Sequence, residues 1–239
     1  MHMVKALTQG LQKPLKRQAR NYGKSLDVAI TATSRFKERN LVIQNFNSQF
    51  AHPKGWVGRF VGMILALKNR ERNAWTISML DIQPDDQVLE IGFGPGQAVQ
   101  EVARLTPNGF VAGIDASDVM VEQASKRNVA AIRSGRVLLQ QGAESPLPFE
   151  DNKFNKVFAV NSMQFWSNPI AGLQEVRRVL KPGGWVVITI QPMWAQTEEE
   201  VQIVAEKLVF QLKQVGFKQV RLETRQIKPI TTVSGIGIK

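Results

Sequence analysis

A short apolar run, Val88-Leu89-Glu90-Ile91, leads into three glycines spaced two apart, Gly92, Gly94 and Gly96, and the helix-compatible stretch Gln97 to Leu105 follows at once. This junction constrains the fold more than any other segment. Glycine at these positions removes every β-carbon that would hold a ligand off the main chain, and it admits the positive φ that a tight strand-to-helix turn needs. A bound cofactor can therefore touch the backbone. A dinucleotide fingerprint places its third glycine three residues after the second; here Gln97 fills that position and the glycine comes one residue earlier. Glu90 brings an acid to the same turn, which repels a phosphate and suits a ligand with an amino or hydroxyl group. The same glycines would also serve a purely structural turn, so the surrounding residues decide between the two readings.

From Val88 onward, apolar strand patterns near 88 to 92, 110 to 114, 137 to 141, 156 to 160 and 184 to 190 alternate with helical ones. Such alternation predicts an α/β fold with a parallel, doubly wound sheet. The second strand ends in Asp115, followed by Ala116-Ser117, and the third runs into Gly142-Ala143-Glu144. Glu90, Asp115 and Glu144 thus fall at the C-terminal ends of successive strands, the edge where open α/β sheets bind ligands. Asp115 can accept two ribose hydroxyls, and Glu144 an adenine amino group; each acid alone also reads as a solvated loop residue. Further on, a helix from about Glu198 to Gln214 precedes two strand patterns, Gln219 to Lys228 and Thr231 to Ile238, joined at Pro229. Ahead of the first strand, Phe46, Phe50 and Trp56 frame a Pro53-Gly55 turn. Val57 to Leu67 reads as an apolar helix running into the basic patch Lys68 to Arg72, and Ala74 to Leu80 continues helically until Pro84-Asp85-Asp86. These elements predict a cap over the end of the first strand. The expected division is a basic extension over residues 1–40, a helical cap or lid over 41–83 and the ligand-binding domain over 84–239.

At 239 residues the chain suits one catalytic α/β domain with an appendage. It contains no cysteine, and its two histidines, His2 and His52, are too few for a zinc cluster, so no metal site is expected. No stretch approaches the roughly 20 apolar residues of a membrane span, and the first residues lack a secretory apolar segment. A cytoplasmic protein is expected. The net charge of +11 is uneven, since residues 1–40 hold nine basic and two acidic side chains. That leader, with Lys13, Lys16, Arg17, Arg20 and Lys24, suits an anionic surface, either a membrane touched peripherally or a nucleic acid. Gln9, Gln12, Gln18 and Asn21 interrupt any clean apolar stripe, so a solvated helix or a frayed tail is the preferred reading.

Taken together, Val88 to Gly96, Gly113-Ile114-Asp115-Ala116-Ser117, Pro146-Leu147-Pro148-Phe149 and Glu175 to Gly184 resemble the class I S-adenosylmethionine-dependent methyltransferases, in the small-molecule branch that includes the ubiquinone and menaquinone methyltransferases. The resemblance covers roughly residues 50–239. It implies a Rossmann-like, seven-stranded sheet with an antiparallel edge hairpin and S-adenosylmethionine as cofactor. By position it places Gly92, Gly94 and Gly96 under the methionine and ribose parts, Asp115 with Ala116 at the ribose, and Ala143 with Glu144 at the adenine, with Glu90 and Asn161 completing the cofactor site. Two positions depart from the family. Asn155 replaces the usual aspartate at the start of strand four, and Gln164-Phe165 stands where many members have a His-His or His-Trp pair.

Methyl transfer requires nucleophile, methyl carbon and sulfur in line, so positioning can supply about 7 to 11 kcal/mol without a covalent step. The loop Asn161 to Trp166, after strand four, faces the transferred methyl in this fold. Gln164 can orient an acceptor but cannot remove a proton near neutral pH. Phe165, Trp166, Met193 and Trp194 suit a wall for a small apolar or aromatic acceptor; core packing explains them equally. The absence of Asn-Pro-Pro-Tyr after strand four weighs against enzymes that methylate the amino groups of nucleic-acid bases and protein glutamines. The alternatives are an RNA methyltransferase using the basic leader and a noncatalytic cofactor-binding module. A nicotinamide dehydrogenase is disfavoured by Gln97 and by the lone tyrosine, Tyr22.

Overall fold

The computed structural model describes residues 69–239. Expectations for the basic leader, His52 and the helix over Val57 to Leu67 lie outside the described residues. Within them, helix α1 covers residues 69–78 and seven strands follow: β1 (Gln87–Ile91), β2 (Phe110–Asp115), β3 (Val137–Gln141), β4 (Phe154–Val160), β5 (Leu180–Ile190), β6 (Lys218–Arg225) and β7 (Thr232–Ile238). Between them lie α2 (Gln97–Leu105), α3 (Asp118–Arg127), α4 (Val129–Arg133), α5 (Pro169–Val179) and α6 (Glu198–Val215).

The strands form one sheet in the order β3-β2-β1-β4-β5-β7-β6. The first five run parallel, while β7 is antiparallel to both β5 and β6. Central strands buried on both sides need continuous apolar runs, which is how Val88-Leu89 and Val157 to Val160 read. Alternate residues feed opposite faces. Val88 and Val187 pack with Val99 and Val102 of α2 on one face; Leu89 and Ile188 pack with Leu173 of α5 and Leu208 of α6 on the other. The strand order reverses between β1 and β4, and a crevice at such a switch point opens above the carboxyl ends of the strands.

Local signals set the helix ends. Ser117 caps α3 by accepting from Met120 N, Asn168 caps α5 with Pro169 behind it, and Thr197 caps α6 ahead of Glu198, Glu199 and Glu200. Gly216 closes α6 in the left-handed conformation.

Three boundaries differ from the sequence expectation. Helix α1 ends at residue 78 rather than at Leu80, whose N donates back to Ile77 O at 3.1 Å, and within the helix Arg72 is buried rather than solvated. Strand β5 starts at Leu180, which pairs with Phe154 across a register shift. There Asn155 Oδ1 accepts from Gln87 N and Lys181 Nζ, both at 2.9 Å, so this departure from the family serves the sheet. Strand β6 ends at Arg225 because the next carbonyls, of Ile227 and Ile230, bond to the Gln191 side chain instead of a strand.

Candidate functional site

The three glycines all adopt positive φ, 76° at Gly92, 51° at Gly94 and 75° at Gly96, but for different reasons. A β-carbon on Gly92 would lie 2.3 Å from Ser162 Cβ, and one on Gly96 would lie 2.6 Å from Ala124 Cβ. One on Gly94 would meet nothing within 4 Å. Gly92 and Gly96 therefore allow close packing inside the protein, whereas Gly94 leaves open space over the turn. The turn is tied to β2: Gly92 N donates to Ile114 O at 2.7 Å and Gly94 N to Asp115 Oδ2 at 2.8 Å. Asp115 Oδ1 accepts from Ser117 N at 2.9 Å, which aligns the carboxylate at the start of α3. Ala116, beside it, is exposed, and its carbonyl takes the Gln141 amide.

Glu90 is 2% exposed and lines a cleft with Asn69, Asn73, Gly92, Gly94 and Gln97. Burial holds its carboxyl well above the usual carboxylate range, and the nearby Asp115 charge adds to the shift. Its Oε2 has no hydrogen-bond partner among the described residues. A buried carboxyl with an unpaired oxygen at the lip of a ligand turn suits a cationic or hydrogen-bond-donating group. At the end of β3, Ala143 is exposed, and Glu144 Oε1 accepts from Ser167 N and Oγ, both at 2.8 Å, and from Asn168 N at 3.3 Å. Glu144 therefore also fixes the turn that opens α5.

Asn161 closes β4 at φ 52°. Its Oδ1 accepts from Gln191 N at 2.7 Å, and its Nδ2 reaches Asn69 Oδ1 at 3.4 Å. Arg72 completes a ring by donating to Asn69 Oδ1 at 2.9 Å and to Gln191 Oε1. Gln191 is fully buried and spends its Nε2 on the carbonyls of Ile227 and Ile230. The ring joins α1, β4, β5 and the β6–β7 connection beside the cleft. Ser162 Oγ adds a bond to Ile91 O at 2.6 Å, tying the loop after β4 to the end of β1.

Beyond Asn161, one turn of 3-10 helix, Met163–Phe165, turns successive side chains different ways. Phe165 is 44% exposed, Met193 56% and Trp194 37%, whereas Trp166 is 9% exposed, and a β-carbon on Gly172 would lie 2.7 Å from its ring. Of the aromatic residues expected in an acceptor wall, Phe165 and Trp194 are open and Trp166 belongs to the core. Gln164 Oε1 is buried with no partner among the described residues. Sequence reasoning missed Asn69, Asn73, Arg72 and Gln191. The i, i+4 spacing of Asn69 and Asn73 was an available signal, since such residues share a helix face. So was a glutamine ending the apolar run Val186 to Ile190. Among the described residues no helix is long and apolar enough to cross a membrane.

A family model described as a methyltransferase domain matches residues 88–184. A Bacillus subtilis protein, the uncharacterized methyltransferase YdaC, is 32% identical over 179 residues, spanning 74% of this chain and 97% of its own length. The ubiquinone/menaquinone biosynthesis C-methyltransferase UbiE of Geotalea daltonii is 31% identical over 121 residues, 50% of this chain and 52% of that protein. Among solved structures, an S-adenosylmethionine-dependent methyltransferase from Aquifex aeolicus matches with a TM-score of 0.57 at 19% identity, over 74% of this chain and 96% of that one. A phosphoethanolamine N-methyltransferase from Haemonchus contortus, solved with phosphomonomethylethanolamine and S-adenosylhomocysteine, matches with a TM-score of 0.60 at 18% identity, over 71% and 52%. At these identities the structural matches speak for the fold.

Proposed function

The chain belongs to the class I S-adenosylmethionine-dependent methyltransferases and uses S-adenosylmethionine, and on that premise we propose that it methylates a small apolar or aromatic acceptor by in-line displacement. The observation that carries this reading is the junction of the glycine turn with two acids. Gly94 N is bonded to Asp115 Oδ2, open space lies over Gly94, and a buried Glu90 oxygen stands unpaired in the same cleft. These groups fit a ligand with a ribose and a cationic amino group. Bound there, S-adenosylmethionine supplies a methyl group made electrophilic by its sulfonium.

The residues divide the remaining work. Asp115 and the Ala116 backbone hold the ribose, Ala143 and Glu144 border the adenine, and Glu90 accepts from the methionine amino group. Asn161 sits at the boundary between cofactor and acceptor, anchored by Gln191. Phe165 and Trp194 give the acceptor an apolar wall that excludes water. Gln164 orients it by hydrogen bonding, its amide N–H groups donating to an ionised oxygen and its carbonyl accepting from an amine. Because an amide exchanges no proton near neutral pH, the acceptors that fit are neutral amines and groups acidic enough to ionise unaided.

Titration calorimetry with S-adenosylmethionine, S-adenosylhomocysteine and a nicotinamide dinucleotide, side by side, tests the site. Micromolar binding of the first two is expected, followed by an acceptor screen with labelled methyl donor across amines, phenols and ring carbonyls. Binding of the dinucleotide alone would overturn the reading.

A further inference from the structure

The glycine turn is gripped from behind as well as in front. Consecutive residues at the end of α3 reach back to its last two carbonyls: the Arg127 guanidinium donates to Pro95 O, and Asn128 Nδ2 donates to Gly96 O at 3.1 Å. Asn128 is 3% exposed, and the same amide donates to Ala124 O at 2.9 Å. Those two bonds fix its orientation, since exchanging oxygen and nitrogen would crowd three oxygens together. Little space remains behind Gly96, where a β-carbon would lie 2.9 Å from Asn128 Nδ2. In front, Asp115 Oδ2 takes the Gly94 N–H. Asp115 begins the stretch that runs through α3 and ends at Asn128, so one segment holds both sides of the turn.

Asn128 Oδ1 is buried without a partner among the described residues. An unpaired buried carbonyl oxygen costs stability, and an apolar side chain would avoid that cost. The end of α3 accounts for the bond to Ala124 O, whereas the bond to Gly96 O ties that helix end to the turn.

We infer that Asn128, assisted by Arg127, is a positioning residue for cofactor binding: it fixes the peptide planes of Pro95 and Gly96, and with them the shape of the turn where the cofactor meets bare backbone. The inference rests on assigning that turn to S-adenosylmethionine.

The test uses the full chain, with S-adenosylhomocysteine as probe in calorimetry and thermal unfolding followed without ligand. Asn128→Asp keeps the size of the side chain and replaces the donor with an acceptor. Arg127→Met removes the exposed partner bond. Leu212→Ala, in a fully buried position of α6 on the far face of the sheet, is a destabilised control. Loss of the buried hydrogen bond to Gly96 O predicts affinity weakened about tenfold in Asn128→Asp, and loss of the exposed bond to Pro95 O about threefold in Arg127→Met. Leu212→Ala should stay within about twofold of wild type despite a lower melting temperature. Should Asn128→Asp fail to fold, Arg127→Met decides alone. Wild-type binding that neither variant changes would overturn the inference, as would a loss in Leu212→Ala equal to that in Asn128→Asp. A wild type that does not bind the probe would overturn the cofactor reading and the inference with it.

Discussion

The proposed cofactor side and the proposed acceptor side of this crevice are built by different means. Around Gly92 to Gly96 the binding surface is main chain, and its shape is set by missing side chains and by backbone N–H groups satisfied at β2. Around Asn161 to Trp166 and Gln191 to Trp194 the surface is side chain, held by amides and a guanidinium that bond to one another. A backbone site reads what every cofactor molecule has in common. A side-chain site can change with the acceptor while the sheet beneath stays as it is.

The sharpest way to break this contrast is inside the glycine turn. Gly92→Ala meets Ser162 at once and must also hold a left-handed φ. Overpacking at about 1 to 3 kcal/mol and the conformation at about 1 to 2 kcal/mol together predict a loss of roughly 2 to 5 kcal/mol in denaturant unfolding. Gly94→Ala carries only the conformational part, yet its methyl enters the open space over the turn, so it should fold and fail to bind S-adenosylhomocysteine. If the two variants lose stability equally, or if Gly94→Ala binds normally, the division of labour among the glycines is wrong.

Next in size is the amide ring. Gln191→Leu removes one acceptor of a buried guanidinium and the donor to two buried carbonyls, and leaving buried polar groups unpaired costs about 1 to 3 kcal/mol. Pairing it with Arg72→Met should recover part of that loss, because no charge is then left buried. A double-mutant cycle on melting and on probe affinity measures the coupling. Strict additivity would remove the ring from the account of the acceptor side.

Asp115→Ala should weaken cofactor binding by about 1 to 3 kcal/mol, through loss of charge-assisted hydrogen bonds. Part of that effect comes from the turn, since Asp115 also holds Gly94 N. Asp115→Asn, which keeps one acceptor oxygen, should fall between alanine and wild type; equal affinity in all three would sink the ribose assignment.

Glu90 gives a pH-dependent test on the same side. Its folded carboxyl titrates above its unfolded value, so between the two the native state binds more protons and stability falls as pH rises. Glu90→Gln should therefore flatten the pH dependence of melting and raise the melting temperature at pH 8, while weakening S-adenosylhomocysteine. A variant with the wild-type pH profile would show that the buried carboxyl is satisfied in a way the cleft geometry does not reveal.

The contrast also explains what could be read from the residues alone. Glycine spacing, acids at strand ends and apolar runs are local signals, so the sheet and the glycine turn at the end of β1 were legible, including the antiparallel hairpin at Pro229. Arg72 was not: within Lys68 to Arg72 it reads as one more solvated cation, and its bond to Gln191, 119 positions on, is a contact that no local pattern shows. Trp166 failed for a different reason. One turn of 3-10 helix is too short for periodicity to show which of Phe165 and Trp166 faces inward, and only the space left by Gly172 decides it.

That neighbouring pair supplies the smallest predicted effect on folding. Phe165 is half-open at the rim and Trp166 lies in the core, so Phe165→Ser should change stability by no more than about 0.5 kcal/mol, as exposed positions do. Trp166→Ala should lose about 3 to 5 kcal/mol. Phe165→Ser should bind S-adenosylhomocysteine as wild type does, because the turn and Asp115 are untouched. Its effect belongs to the acceptor, as a raised KM for whichever ring compound the labelled-donor screen turns up. If Phe165→Ser instead destabilises the chain as much as Trp166→Ala, the exposed ring is covered in solution and is a packing residue. If stability and acceptor KM both stay unchanged, the wall rests on Trp194 and Met193, and the acceptor approaches from the strand-five side.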